Sequence, residues 1–303
     1  MLQRRTLEAA AMLMLSLAAG CAASSQADTA PPSWEYLISS GRWDDGNRYA
    51  SVVEVVTARG TCSGVLARKS LVFTAAHCLC LPDTLKPKRV YSHGRATTGR
   101  VKLACEEQAT VTAVLYAKQA TSGADLQPTP RVQTRRGSVQ THPGYEFATD
   151  DKSGVVYSVM DLAAIHLEKP FNGIRVDGRL PAQEVQPEEA LTAVGYGEAS
   201  DGSRHRRYFG TNKIMDIHIM VGGDGVFAFR GQDAQERGAH AMRGDSGGPC
   251  FREDTKGNRW LTGIISTGKV VNGMHVSAFT STFHHRTWIQ EQFNSNDKST
   301  SDR

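Results

Sequence analysis

Short apolar or alternating runs, separated by turn-forming residues, cover most of the chain from about residue 49 to residue 283. Four of them are YASVVEVVT (49–57), ATVTAVLYA (109–117), KIMDIHIMV (213–221) and GVFAFRG (225–231). β-Branched residues are frequent in these runs, and Gly, Asp, Asn or Pro stands between them. Many short strands with closely spaced turns are typical of an all-β sandwich or barrel. The one good helical pattern is HHRTWIQEQF (284–293), near the end of the chain.

The first twenty residues, 1–20, have the pattern of an export signal. Arg4 and Arg5 form a basic start, and the apolar run AAAMLMLSLAA (9–19) is too short to span a bilayer. The small residues before Cys21 resemble a bacterial lipobox, in which Cys21 would be lipidated and become the mature N-terminus. An ordinary signal peptide cleaved a little later is the alternative. Both predict export from a bacterial cell, as an outer-membrane lipoprotein, a periplasmic protein or a secreted one, and export permits disulfides.

The rest of the 303-residue chain is expected to form one large domain between polar ends. Residues 22–37 are a linker or propeptide, since residues 22–33 are small, polar and Pro-containing, and 294–303 has the composition of a disordered tail. Residues 38–293 remain for the folded domain, with enough hydrophobic residues for a core. The net charge of +4, from 35 basic and 31 acidic side chains, is too small and scattered to indicate a nucleic-acid partner.

The stretch HAMRGDSGGPCF (240–251) admits two interpretations. Its RGDS tetrapeptide is similar to the sequence that cell-adhesion receptors bind, which would make this a binding protein. The overlapping GDSGGP is similar to the loop around a nucleophilic serine, here Ser246. A nucleophilic serine needs a base, and the base needs an orienting group, so the rest of the chain decides between the two.

Candidates for both groups stand upstream of Ser246. An apolar run ends in TAAHC (74–78), which places His77 directly before Cys78. Asp161 opens the apolar run DLAAIHL (161–167), where an unpaired carboxylate would be costly to bury. The chain therefore offers a base and an orienter in the order His, Asp, Ser.

In that order, TAAHC, DLAAIHL and GDSGGP resemble the motifs of the trypsin-like serine proteases of the chymotrypsin fold. Shorter matches keep the same register: VGYG (194–197), GIISTG (263–268) and the pair Trp288–Ile289. The resemblance covers about residues 38–293 and implies an all-β fold of two packed antiparallel six-stranded barrels, a C-terminal helix and a catalytic cleft between the barrels.

The resemblance implies a secreted serine endopeptidase that works by acyl transfer. Ser246 would attack a peptide carbonyl, His77 would act as general base and Asp161 would orient it. The amides of Gly244 and Ser246 would form the oxyanion hole, and Ser266 would donate to Asp161. No metal or cofactor is required, and the substrate is a protein or peptide.

Asp245 faces inward in this family, so the RGD letters carry no adhesion function. A function of a different class stays open. The chain would then be a binding protein with the same fold, catalytically silent or latent, and would act through enlarged loops of the first barrel. Asp161 follows His77 by 84 residues, which is long for the family, and we expect the excess to form surface loops.

The six cysteines fit export and the resemblance. A Cys62–Cys78 disulfide would fix the turn carrying His77, and Cys80 with Cys105 is the second expected pair. Cys250 is then left as a buried free thiol.

The specificity pocket departs from the trypsin pattern. His240 stands six residues before Ser246, at a position where an Asp would select Lys or Arg. Ser277 stands on a pocket wall that the family usually builds with Gly. Gly268 keeps the entrance of the pocket open. The pocket is polar without a fixed negative charge. We therefore expect poor cleavage after Arg or Lys and a preference for an acidic or neutral polar residue, the acidic preference fading as pH rises through about 6.5 if His240 titrates normally.

Activation in this family pairs the inward Asp with a new N-terminus. Ile38, 24 residues before Cys62, is the candidate partner of Asp245. Leu37 precedes it instead of Arg, so a trypsin-like activating protease is not expected, and a chain that needs no cut is the alternative. A lipid on Cys21 is the one expected membrane contact, and after the cut it would hold only the precursor at the membrane. The enzyme is expected to be a monomer.

Overall fold

The structure is a computed structural model, and it describes residues 38, 41–57, 60–82, 89–92, 95–98, 103–117, 130–149, 155–197, 206–219, 224–230, 238–271 and 274–301. The expected export signal, Cys21 and the linker up to residue 37 lie outside the described residues. In the described ranges, no helix is long and apolar enough to cross a bilayer.

Strands make up almost all of the regular structure, and a single-turn 3-10 helix spans Ala76–Cys78. In chain order the strands are β1 (Arg42–Trp43), β2 (Val52–Thr57), β3 (Gly60–Arg68), β4 (Leu71–Thr74), β5 (Cys80–Pro82), β6 (Arg89–Ser92), β7 (Arg95–Thr98), β8 (Leu103–Cys105), β9 (Gln108–Tyr116), β10 (Pro130–Thr141), β11 (Glu146–Thr149), β12 (Val155–Val159), β13 (Ala163–Leu167), β14 (Ala190–Gly195), β15 (Tyr208–Ile219), β16 (Gly225–Arg230), β17 (Pro249–Glu253), β18 (Arg259–Val271) and β19 (Met274–Ser281). The α-helix α1 follows them at Arg286–Ser301.

Six strands close the first barrel in the order β10-β13-β4-β3-β2-β9. All neighbours are antiparallel. The short strand β4, LVFT, is buried at every position, and the centre of β3 is buried as well. Each large apolar side chain removed from water in this way contributes about 1.5–3 kcal/mol. A closed barrel also leaves no free sheet edge.

The second barrel is built from β15-β14-β17-β18-β19-β16, and the pairing of β15 with β16 closes it. The two-residue strand β1 adds to β15 on the outside. The core of the second barrel packs Phe227, Phe229 and Phe279 together, and Ile38 is fully buried in the same cluster. The prediction of two six-stranded antiparallel barrels with one C-terminal helix is confirmed.

Buried polar contacts tie the barrels together at Arg207, which is 0% exposed. Its Nε donates to Asp44 at 2.7 Å, and its Nη1 donates to the Val114 carbonyl at 3.0 Å and to the Tyr196 hydroxyl at 2.8 Å. Val114 belongs to the first barrel, while Tyr196 follows β14 of the second. A buried guanidinium needs such a full set of acceptors, so Asp44 is required for stability.

The long segment between His77 and Asp161 contains three two-stranded sheets in addition to barrel strands, namely β5 with β8, β6 with β7 and β11 with β12. A disulfide between Cys80 and Cys105 joins directly opposed residues of β5 and β8. Cross-strand pairing therefore gives part of the expected surface loops a defined backbone.

The expected disordered tail, 294–303, is wrong for most of its length. Helix α1 continues to Ser301, past the predicted end at Phe293. Gln292 and Asn296, one turn apart on one face, are both buried. Gln292 contacts His166 at 3.0 Å, and the Asn296 amide donates to the Ser70 carbonyl at 3.2 Å. These contacts with the first barrel hold a polar helix that its own sequence would not stabilise.

Candidate active site

The first barrel brings His77 and Asp161 together through neighbouring strand ends. His77 lies in the 3-10 turn that follows β4, and Asp161 lies just before β13. Strands β4 and β13 are hydrogen-bonded neighbours, so the two residues meet at one end of the barrel. The Cys62–Cys78 disulfide, with a Cα–Cα distance of 6.2 Å, ties the turn back to β3.

The carboxylate of Asp161 is 1% exposed and accepts several hydrogen bonds. His77 Nδ1 lies 2.7 Å from Asp161 Oδ2, and the His77 backbone N–H donates to Oδ1 at 2.9 Å. Ser266 Oγ donates to Oδ2 at 2.5 Å and Ser158 Oγ at 3.1 Å. The contact with Ser266 is the one expected from the sequence. A carboxylate held this way fixes the tautomer of the imidazole, with the proton on Nδ1 and the lone pair on Nε2.

Each member of this pair favours the charged form of the other. Burial disfavours the imidazolium, but the charge and hydrogen bond of Asp161 outweigh it and raise the pKa of His77 above its ordinary value. Burial likewise disfavours the carboxylate, but the charge and hydrogen bonds of His77 and the Ser266 hydroxyl hold the pKa of Asp161 below its ordinary value. A base of raised pKa is better able to take up a proton from a serine hydroxyl.

Ser246 lies against the same turn from the side of the second barrel. Its carbonyl accepts the Ser63 N–H at 2.7 Å and lies 3.7 Å from Cys78 Sγ, beside His77. Ser63 Oγ also donates to the Gly244 carbonyl at 2.9 Å. In the described part of the chain, no hydrogen bond joins Ser246 Oγ to His77 Nε2. Such contacts are often long without substrate and tighten only when it binds.

The loop around Ser246 needs its glycines. Gly244 has a φ of 93° and Gly247 a φ of 82°, in the region that favours glycine. A Cβ on Gly247 would also lie 2.1 Å from Thr74 Oγ1. Among the described residues, the N–H groups of Gly244 and Ser246 have no acceptor within the protein. They are two free donors beside the serine, as an oxyanion hole requires.

Asp245 is fully buried beneath this loop. Its Oδ1 accepts the Gly197 N–H at 2.8 Å and its Oδ2 accepts the Met242 N–H at 2.9 Å. A Cβ on Gly195 would lie 2.2 Å from Asp245 Oδ1, which explains the glycines of VGYG. No cation pairs with this carboxylate in the ranges described. Burial therefore outweighs the two amides and raises the pKa of Asp245 to about 7.

The predicted pocket residues lie close together. Ser277 is buried, and its Oγ accepts the Ala241 N–H at 2.9 Å. Gly268 is exposed opposite Ser277 on the neighbouring strand, and a Cβ there would lie 2.8 Å from the Ala241 carbonyl oxygen. His240 is 6% exposed, and its ring stacks on His275 at 5.3 Å between centroids.

The condition that His240 titrates with an ordinary pKa is not met. Burial and the neighbouring His275 lower the pKa of His240 to about 4, so the ring is neutral at neutral pH. Within the described residues, His240 Nδ1 has no hydrogen-bond partner. The pocket therefore offers a neutral imidazole instead of a cation.

Sequence reasoning missed Ser158 and His275. Ser158 stands only three residues before Asp161, but a single serine there forms no recognisable motif. His275 lies on β19 and reaches His240 only through the sheet pairing. Cys62, His77 and Cys78 also bring metal-ligand atom types together, but both sulfurs are consumed by the disulfide. No thiolate is available there for a metal.

Comparisons with known proteins agree with this geometry. The family model described as Trypsin matches residues 41–289, well over half of the chain. A protein described as "Trypsin-like protease" from Streptomyces glaucescens is 27% identical over 218 residues, which cover 68% of this chain. The match spans 65% of that relative's own length.

Proposed function

The chain belongs to the trypsin family, and from this premise we propose that it is an exported serine endopeptidase with His77, Asp161 and Ser246 as its triad. The observation that carries the proposal is the buried Asp161, whose two oxygens hold both the ring and the backbone of His77. An imidazole fixed in this way is arranged for proton transfer at Nε2.

The reaction follows from the positions of these groups. Ser246 Oγ attacks the substrate carbonyl carbon while its proton passes to His77 Nε2. The C–N bond then breaks, and His77 donates the proton to the leaving amine. Water repeats the sequence on the acyl-enzyme, with the C–O bond to Ser246 breaking. Asp161 stays ionised throughout and stabilises the imidazolium that forms at each step.

The negative charge that develops on the substrate oxygen needs donors of its own. The N–H groups of Gly244 and Ser246 are available for it, because neither donates to an acceptor among the described residues. Loss of one such donor typically costs about 10²–10³ in kcat. The role proposed for this loop makes its conformation, and so Asp245, critical for turnover.

The pocket composition supports a side chain other than Arg or Lys next to the scissile bond. No carboxylate is contributed by His240, Ala241, Gly268 or Ser277, and burying an unpaired cation is costly. A neutral imidazole with a free Nδ1 suits a neutral polar or acidic side chain that can share a proton with it. An acidic residue would bind best at low pH, where the shared proton is present.

Activation by a cut before Ile38 is supported by two features. Ile38 is already buried in the core of the second barrel, and Asp245 is buried without a cation in the described part of the chain. A new amine at Ile38 would supply that cation and free the enzyme from any lipid on Cys21. A single-chain enzyme with Asp245 held by the Met242 and Gly197 amides remains the other form of this proposal.

Hydrolysis of a peptide library by the wild type and by Ser246→Ala tests the function. Both the full chain and the chain cut before Ile38 are assayed, and Ser70→Ala serves as a serine control far from the cleft. We expect turnover by the wild type and by Ser70→Ala in at least one form, and none by Ser246→Ala. Cleavage by Ser246→Ala at the wild-type rate would refute the proposal, while no cleavage by any form would favour a silent binding protein.

A further inference from the structure

A second His–Asp pair lies behind the turn that carries Asp161. Asp224 directly precedes β16 and is 0% exposed, and His285 directly precedes α1 and is 6% exposed. His285 Nε2 lies 2.7 Å from Asp224 Oδ1. Neither residue touches the reacting groups, so the pair needs a separate explanation.

The other oxygen of Asp224 holds the backbone next to Asp161. The Met160 N–H donates to Asp224 Oδ2 at 2.9 Å. Met160 has a φ of 51°, a left-handed conformation that residues other than Gly, Asn and Asp seldom adopt. The Leu162 N–H then donates to the Met160 carbonyl at 2.8 Å, which makes Asp161 the centre of a three-residue turn. The direction in which Asp161 leaves the backbone thus depends on Met160.

His142 braces the same assembly from the first barrel. Its ring packs edge-on against the ring of His285 at 5.0 Å between centroids. The backbone N–H of His142 donates to the Leu162 carbonyl at 2.9 Å. Burial and His285 lower the pKa of His142 to about 4, so it is a neutral ring whose Nδ1 accepts the Gly144 N–H at 3.1 Å. Both ends of the turn are therefore anchored.

We propose that Asp224 and His285 are positioning residues for the triad, which hold Met160 in its left-handed conformation and so set the hydrogen bond between Asp161 and His77. This inference rests on the proposed function. The backbone carbonyl of His285 also accepts the Ile289 N–H at 3.1 Å at the start of α1. The pair thus connects the C-terminal helix, the second barrel and the catalytic turn of the first barrel.

The test measures the pH dependence of kcat and KM in the active form for Asp224→Ala. Without its acceptor, Met160 leaves the left-handed conformation and Asp161 moves from His77. A displacement of about 1 Å costs about 10²-fold, and we expect this loss in kcat with KM little changed. The acid limb of kcat/KM should move to lower pH, because less of the charge of Asp161 then reaches His77. Tyr145 also faces Asp161, but burial first and that charge second raise its pKa, so it stays neutral across the profile.

Three further variants separate positioning from general stability. Asp224→Asn keeps an oxygen for Met160 and can donate to His285 Nε2, so it should restore most of kcat. Met160→Gly adopts a positive φ without strain, so adding it to Asp224→Ala should recover part of kcat. Asp177→Ala removes another buried Asp, bonded to Ser51 and Arg259, and should lower Tm without moving the acid limb.

The low-field proton signal of His77 Nδ1–H gives a readout that needs no turnover. It should be present in the wild type and shifted or lost in Asp224→Ala. Wild-type kcat together with an unmoved acid limb in Asp224→Ala would overturn the inference. If Asp224→Ala is inactive because it is unstable, an unchanged proton signal in that variant would also overturn it. A wild type with the signal but without peptide hydrolysis would instead refute the proposed function and leave this signal test valid.

Discussion

Two buried aspartates lie on opposite sides of the cleft, and the protein treats them in opposite ways. Asp161, from the first barrel, is 1% exposed and faces His77, so its pKa is lowered. Asp245, from the second barrel, is 0% exposed and accepts two amide N–H groups, and its pKa is raised to about 7. Both are buried and both are hydrogen-bonded. Here the two amide donors of Asp245 do not offset its burial, whereas the charge and hydrogen bonds of His77, with the Ser266 hydroxyl, do so for Asp161.

The comparison also separates the two halves of the site. The first-barrel half, with His77 and Asp161, has its partners in place. The second-barrel half, with Asp245 under the serine loop, has no cation beside its carboxylate in the described part of the chain. Changes on the Asp161 side should therefore act directly on proton transfer, and changes on the Asp245 side should act through the loop that carries Gly244.

Asp161→Asn should have the largest effect. The amide cannot keep His77 in the tautomer with its proton on Nδ1, so kcat should fall by about 10⁴ with little change in the fold. Steady-state kinetics measures the loss, and Asp44→Asn, which should cost stability through Arg207, is the matched buried-Asp control. Near-normal activity of Asp161→Asn would show that the orienter is misassigned, with Asp150 and Asp151, outside the described residues, next to be tried.

Asp245→Asn should have a large but conditional effect. In a chain cut before Ile38, it removes a buried ion pair of about 3–5 kcal/mol, and kcat/KM should fall by roughly two to three orders of magnitude. In an uncut active chain the loss should be much smaller, since an amide oxygen still accepts one N–H. N-terminal sequencing of the active, soluble species identifies the form. A cut chain that tolerates Asp245→Asn would show that the Met242 and Gly197 amides are sufficient to order the loop.

His240→Asp should convert the pocket toward Arg and Lys. It places a carboxylate where the pocket has a neutral ring, and a paired buried cation should gain about tenfold or more in kcat/KM. Peptide-library profiles of the wild type and the variant measure the change, with His218→Asp, outside this pocket, as the control. A wild-type profile already dominated by Arg and Lys would contradict the pocket assignment.

The smallest expected effect is on the stability of the uncut chain. The pKa of Asp245 is raised to about 7, so the folded state binds more protons than the unfolded state from about pH 4 to 7. The contribution of Asp245 is fully present below about pH 4 and is lost as pH rises through 7. Urea unfolding should thus show stability falling across this window, less so in Asp245→Asn or after the cut. An equal slope in wild type and Asp245→Asn would contradict the raised pKa.

Much of this arrangement could be predicted because its parts are local in sequence. His77, Asp161 and Ser246 stand in short contiguous motifs, and the strand runs around them follow the alternation expected of barrels. The motifs also predict different partners for the two aspartates, namely His77 for Asp161 and a new N-terminus at Ile38 for Asp245.

What could not be predicted depends on contacts between distant segments. Only folding brings Asp224 to Met160, across 64 residues, and His285 to Asp224, across 61 residues. The low pKa of His240 depends on its burial and on the neighbouring His275, which β19 carries. The helical end of the chain was missed because Asn296 is ordered by Ser70 of the first barrel, a contact that composition cannot reveal.

Reaction with a fluorophosphonate probe tests the central claim most directly, because only a serine activated by a fixed base should react. We predict an adduct on Ser246, located by peptide mass mapping, in at least one of the full and cut chains. Its rate should fall in His77→Ala and also as pH falls through the raised pKa of His77, where the base becomes protonated. No adduct on Ser246 in either chain, or an equal rate in His77→Ala, would contradict the account.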